Sequence, residues 1–226
     1  PVIINLGYGI HGNEPSGSEA AMLTAYTLIA SKNEKINRLT TDSVVFIDPT
    51  LNPDGRDRHS QWANQYKSIN LVADSNDAEH NESWPRGRTN HYWFDLNRDW
   101  LLAIHPEIRG KLNWLHEWYP NVVVDVHEMG TNSNYFFDPM KSSASVKPLI
   151  PQENVDLYPI FAEYYIKYMD SIGSFYYSKE SFDETYPGYG STYSDLQGGL
   201  ALLFEQASSR GHVPVSYTNL RAHETQ

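Results

Sequence analysis

Residues 2–30 read V-I-I-N-L-G-Y-G-I-H-G-N-E-P-S-G-S-E-A-A-M-L-T-A-Y-T-L-I-A, and the order of signals in that stretch decides the fold. The run from Val2 to Tyr8 is short, apolar and β-branched at its start, which predicts a buried strand. Gly7 and Gly9 interrupt it. Pro15 suits the first turn of a helix, where its missing N–H has no partner to lose. Ser16 and Glu19 have capping-box spacing, and an apolar-periodic stretch follows to about residue 31. Strand, loop and helix in that order are the building unit of α/β proteins.

Further along the chain the same pattern recurs. Residues 43–48 (S-V-V-F-I-D), 121–126 (N-V-V-V-D-V) and 200–204 (L-A-L-L-F) read as three more buried strands. Residues 105–119 predict an amphipathic helix bounded by Pro106 and Pro120, and residues 155–177 a tyrosine-rich helical stretch. Residues 49–94 are polar and aromatic with no sustained period, so they read as a long irregular segment of the kind that carries function. The expected fold is α/β and three-layered: a mixed, mostly parallel sheet with helices on both faces. Pro1 leads straight into a strand with no initiator Met, so the chain is expected to begin inside a longer protein, truncated at its N-terminus.

Composition narrows the function. The 226 residues are 40% hydrophobic and 20% charged, as in ordinary globular chains. A formal net charge of −11 disfavours nucleic acid and polybasic membrane contacts, both of which need clustered Lys and Arg. No apolar run approaches the ~18 residues of a membrane span. There is no cysteine, so any metal site must use histidine and carboxylates.

Such residues stand where α/β sheets place their sites, at the carboxyl ends of strands. The first strand runs out into His11-Gly12-Asn13-Glu14, and the third into His127. Two histidines and one carboxylate make an open zinc site, which leaves a position for water. H-x-x-E alone is common by chance. The other seven histidines (59, 80, 91, 105, 116, 212 and 223) lack a strand-end setting and read as structural or surface residues.

Five motifs occur in order: G-I-H-G-N-E at 9–14, N-P-D-G at 52–55, D-L-N-R-D-W at 95–100, V-D-V-H at 124–127 and L-L-F-E at 202–205. Together, over residues 2 to about 210, they resemble the zinc metallocarboxypeptidase family of the carboxypeptidase A kind. The resemblance implies one Zn²⁺ held by His11, Glu14 and His127. It implies that Asn97 and Arg98 bind a substrate's terminal carboxylate, and that Glu205 is the catalytic carboxylate. Chemistry agrees: a guanidinium grips a carboxylate bidentately, and a glutamate beside zinc can move protons between water and a leaving amine. The family's oxyanion arginine matches Arg88, with Arg86 as the alternative. Its mobile tyrosine matches Tyr186, then Tyr189. Asn13 departs from the arginine of the pancreatic enzymes. Asp195 lies near the segment that shapes the side-chain pocket, where it selects basic residues or caps a short helix.

The implied domain is a single catalytic one over residues 1–226, with about 211–226 set aside as a tail that does not match the family. The implied substrate is a peptide, cut at its C-terminal bond. Related zinc chemistry on N-acyl amino acids or cell-wall peptides is the alternative, as an amidase or deacylase. A further alternative is a non-enzymatic binding module using the aromatic stretches 62–66 and 91–94. The resemblance also implies secretion or a periplasmic location.

Overall fold

The computed structural model describes residues 1–70, 72, 74, 76–141, 149–208 and 210. The expected tail, 211–226, lies outside them.

All four expected strands form and lie side by side. They are β1 (Val2–Tyr8), β2 (Ser43–Asp48), β3 (Val122–Met129) and β6 (Leu200–Ala207). With two short strands, β4 (Tyr135–Phe137) and β5 (Tyr176–Tyr177), the sheet order is β2-β1-β3-β6-β4-β5. β2, β1, β3 and β6 are mutually parallel. The two short strands were not expected: β4 pairs antiparallel to β6, and β5 parallel to β4. Segments of three and two residues are too short to show a period. β3 and β6 extend past the expected ends because their ladder continues in register to Met129↔Ala207. His127 and Glu205 are therefore paired residues inside the strands, not loop residues beyond them.

Helices cover both faces, and the alternation of side chains along the strands decides what each face meets. Leu6, Val124 and Leu202 pack with Tyr158 of α5 (Gln152–Ile172). α1 (Pro15–Ala30) lies on that same face, its Gly17 against Val126. On the opposite face Asn5 accepts a 2.8 Å bond from Lys111 of α4 (Pro106–Trp118). A core of Ile10, Leu96, Trp100, Ile108, Leu112, Leu115 and Tyr193 fills that side. Asp125, His127 and Glu205 share the α4 side of the sheet.

Several helix expectations need correction. The region 49–94 is not irregular throughout, because Pro53–Tyr66 forms α3, and α2 (Glu34–Asp42) precedes β2. α3 has no strong apolar stripe; it begins because Asn52 accepts the Gly55 N–H at 2.9 Å, with Pro53 in the first turn. The predicted Ser16–Glu19 capping box is absent. Ser16 gives its N–H and hydroxyl to Glu128 of β3, and Glu19 pairs with Arg56 instead. α5 stops at Gly173, which takes a left-handed conformation (φ 66°) and closes the helix. The expected helix to residue 177 therefore ends early, and Tyr176–Tyr177 joins the sheet.

Candidate active site

The carboxyl ends of β1, β3 and β6 bring three sequence-distant segments to one cleft of about 330 Å³. Glu14 immediately precedes α1, and its two oxygens reach both histidines. His11 Nδ1 is 2.8 Å from Oε1, and His127 Nδ1 is 3.1 Å from Oε2. The two Nδ1 atoms are 3.1 Å apart. All three residues are buried, with ligand-type atoms within 4.8 Å of one another, so they can hold a metal ion.

The outer nitrogens are occupied as they are in metal sites. His11 Nε2 is 3.0 Å from Asp95 Oδ1, and His127 Nε2 is 2.9 Å from Asp125 Oδ2. A carboxylate on the far nitrogen fixes tautomer and ring orientation, leaving the near nitrogen to coordinate. Asp95 and Asp125 were not assigned from sequence, although each stands inside a motif already noted, D-L-N-R and V-D-V-H. Burial alone would raise the Glu14 carboxyl, but His11 and His127 outweigh it and hold it far below the usual range. Asp95 behaves alike, with His11, Arg88 and Arg98 overcoming burial.

Arg88, not Arg86, lines the cleft. Its guanidinium bonds Asp95 at 3.0 Å and approaches Glu14 at 3.5 Å. Arg86 is exposed, in a left-handed turn (φ 60°) after Pro85. Arg98 also lines the cleft, its guanidinium 4.5 Å from the centre of the Tyr189 ring. Asn97 lines the same cleft beside Arg98, and its amide is held by protein partners. Its Oδ1 accepts the Gly190 N–H at 2.8 Å, and its Nδ2 lies 3.2 Å from Asp125 and 3.0 Å from His127 Nε2. Its amide thus braces the Asp125–His127 pair.

Tyr186, expected over the substrate, folds back. Its ring occupies the space that the absence of a Cβ leaves at Gly188, and its hydroxyl donates to the Arg98 carbonyl at 2.9 Å. Tyr189 is the tyrosine in the cleft. Asp195 is neither in the cleft nor a helix cap: it accepts bonds from Asn154, Tyr158 and the Ala201 N–H.

Glu205 lies opposite His127 in the ladder and lines the same cleft. Its carboxyl is pushed up to about 7, first by burial and then by Glu14 and Asp125, against the opposing pull of His127 and His11. Arg210 lies against Glu82 and Glu128, at 3.8 and 3.9 Å. Met140, Phe182, Asp183 and Leu203 also line the cleft.

A mixed, mainly parallel sheet thus gathers two histidines and a glutamate that can hold a metal ion at the mouth of one cleft. The sequence matches the zinc carboxypeptidase family over residues 3–218, and the chain belongs to that family. It is 25% identical over 144 residues to the carboxypeptidase N catalytic chain of Homo sapiens, covering 57% of this chain and 31% of that one. The fold resembles a metallo-carboxypeptidase from Burkholderia cenocepacia with a TM-score of 0.66 at 18% identity, over 91% of this chain and 48% of that one. It also resembles bovine thrombin-activatable fibrinolysis inhibitor, solved with a tick carboxypeptidase inhibitor: TM-score 0.61, 16% identity, 99% and 78% coverage. The chain spans about a third of the curated relatives it matches. No helix among the described residues is long and apolar enough to cross a membrane.

Proposed function

We propose that this chain carries the catalytic centre of a zinc carboxypeptidase that removes the C-terminal residue of a peptide. The observation that supports this most is convergence. A His–Glu–His triad, each histidine backed by an aspartate, shares one cleft with two arginines and a buried glutamate.

The donor set fits zinc, since nitrogen and carboxylate ligands without cysteine leave an open position. When bound there by His11, Glu14 and His127, zinc supplies Lewis acidity to a carbonyl and lowers the pKa of a coordinated water to about 7.

The chain's own groups do the rest. Arg98, stacked on Tyr189, takes the terminal carboxylate of the peptide through its paired N–H groups. That fixes which carbonyl reaches the centre of the cleft. Arg88 lies on the cleft wall to meet the negative charge that grows on that carbonyl oxygen. Glu205 takes a proton from the attacking water and delivers it to the departing amine. A carboxyl poised near neutrality suits both transfers, and a nearby dication would favour its ionised, basic form. Asn97 and Tyr186 are assigned to support: the first holds Asp125 and His127, the second the backbone of Arg98.

A mixed peptide library, incubated with and without a zinc chelator and read by mass spectrometry, tests the proposal. Stepwise loss of C-terminal residues, stopped by chelator and restored by zinc, is expected. A folded, zinc-loaded protein that leaves the library intact overturns it and favours an amidase or deacylase acting on N-acyl amino acids or cell-wall peptides.

A further inference from the structure

Glu82 was given no role by its sequence context, and His59 was read as structural or surface. The structure joins them at the place where the metal loop, α3 and the arginine turn meet. These three segments stack almost backbone to backbone. A Cβ on Gly12 would lie 2.1 Å from the Arg56 nitrogen, and one on Gly87 would lie 2.6 Å from His59 Cβ and 2.7 Å from the Gly55 oxygen. Contacts that close are open only to glycine.

Into this stack Glu82 projects a side chain that is 5% exposed. Its Oε2 accepts from Asn13 Nδ2 at 2.8 Å, in the loop between two metal ligands. Its Oε1 lies 2.9 Å from His59 Nδ1 on α3 and accepts the Gly87 N–H at 3.1 Å, one residue before Arg88. Burial alone would raise this carboxyl, but the bonds from His59 and Asn13 outweigh it, so the group stays ionised. Asn52, which caps α3, and Arg58 within it complete the clamp. Asn52 donates to the carbonyls of Ile10 and Arg88, and Arg58 to those of Arg86, Thr89 and Asn90.

We infer that Glu82 is a positioning residue: by bonding Asn13 and Gly87 at once, it sets where the Arg88 guanidinium stands relative to the metal ligands. The inference rests on the role proposed above for Arg88. Glu82 does not line the cleft; it acts through the turn it holds. A misplacement of about 1 Å in a catalytic group costs on the order of 100-fold in rate, which is the scale at which such a tie matters.

The experiment is a double-mutant cycle on the zinc-loaded protein, using the best-cleaved peptide. Glu82→Ala is expected to lower kcat by roughly 10- to 100-fold with KM within about threefold, and to keep one zinc per chain. Glu82→Gln keeps an acceptor toward Gly87 and His59 and is expected to recover most of that loss. In an Arg88→Ala background, Glu82→Ala is expected to cost less than about threefold more, because the group it positions is gone. Losses that simply multiply, or an Glu82→Ala variant with unchanged kcat, would overturn the inference while leaving the Arg88 role standing. An Arg88→Ala variant with unchanged kcat would instead defeat the proposed mechanism. If Glu82→Ala does not fold, Glu82→Asp enters the same cycle; it keeps the charge but is too short to span Asn13 and Gly87, so the same non-additivity is expected.

Discussion

The carboxyls around the histidines and those behind Leu203 are both buried, yet they are driven in opposite directions. Glu14 and Asp95 are held low, because histidine and arginine outweigh the burial that would raise them. Asp138 and Glu184 are raised because burial is reinforced by neighbouring carboxylates, and Asp195 because burial outweighs the bonds it accepts from Ala201, Tyr158 and Asn154. Asp138 accepts the Leu203 N–H with one oxygen, and its other oxygen has no partner among the described residues. Glu184 and Asp195 each reach about 7. Burial raises every one of these carboxyls; what differs is whether neighbours oppose it strongly enough to win. The first group is built to stay ionised beside a cation, and the second to keep protons inside the fold.

Glu205 is where the comparison is sharpest, since it faces members of the first group and is itself pushed up to about 7. Glu205→Gln should lower kcat by roughly 10²- to 10⁴-fold while zinc content stays at one per chain. Near-wild-type turnover by that variant would remove Glu205 from the chemistry. Asp125→Asn breaks the first group at its outer ring. It should weaken zinc affinity by about 10- to 100-fold, measured by competition with a chromogenic chelator. Unchanged affinity would mean that the aspartates do not tune the ligands.

The second group gives smaller effects, on stability. Asp195 titrates at about 7 when folded, against an ordinary 3.8. The unfolded chain therefore releases this proton first as pH rises. The stabilisation present below pH 3.8 is lost progressively up to and through pH 7. Zinc-loaded protein should lose on the order of 1–3 kcal/mol between pH 5 and 8 from this source, read as a falling melting temperature. Asp195→Asn cannot ionise and should flatten that slope; an unchanged slope would place the titration elsewhere. Glu184→Gln should flatten it less, because Glu184 is less buried and starts from a higher ordinary value, 4.5.

Much of the frame was legible because its signals are local. Strands β1, β2, β3 and β6 announce themselves by short apolar runs, β-branched in the first three, and α1 and α4 by prolines at their starts. α3 was hidden because its residues P-D-G-R-D-R-H-S-Q-W-A-N-Q-Y are mostly polar, and its anchorage is a web of bonds to residues 86–90 rather than an apolar stripe. β4 and β5 form only because β6 offers an edge to pair with. The metal-site residues could be picked out as motifs, but the partners of each could not.

By itself the sequence determined the α/β order, the parallel strands and the residue types set at their ends. Those depend on side-chain period and turn chemistry within a few residues. Only the tertiary structure decided that Arg88 rather than Arg86 enters the cleft, that Asn97 braces His127, that Tyr189 rather than Tyr186 lines the site, and that Glu82 ties the turn to the metal loop. Each of those choices is a hydrogen bond or close contact between residues brought together by the sheet. No local preference of the chain encodes them.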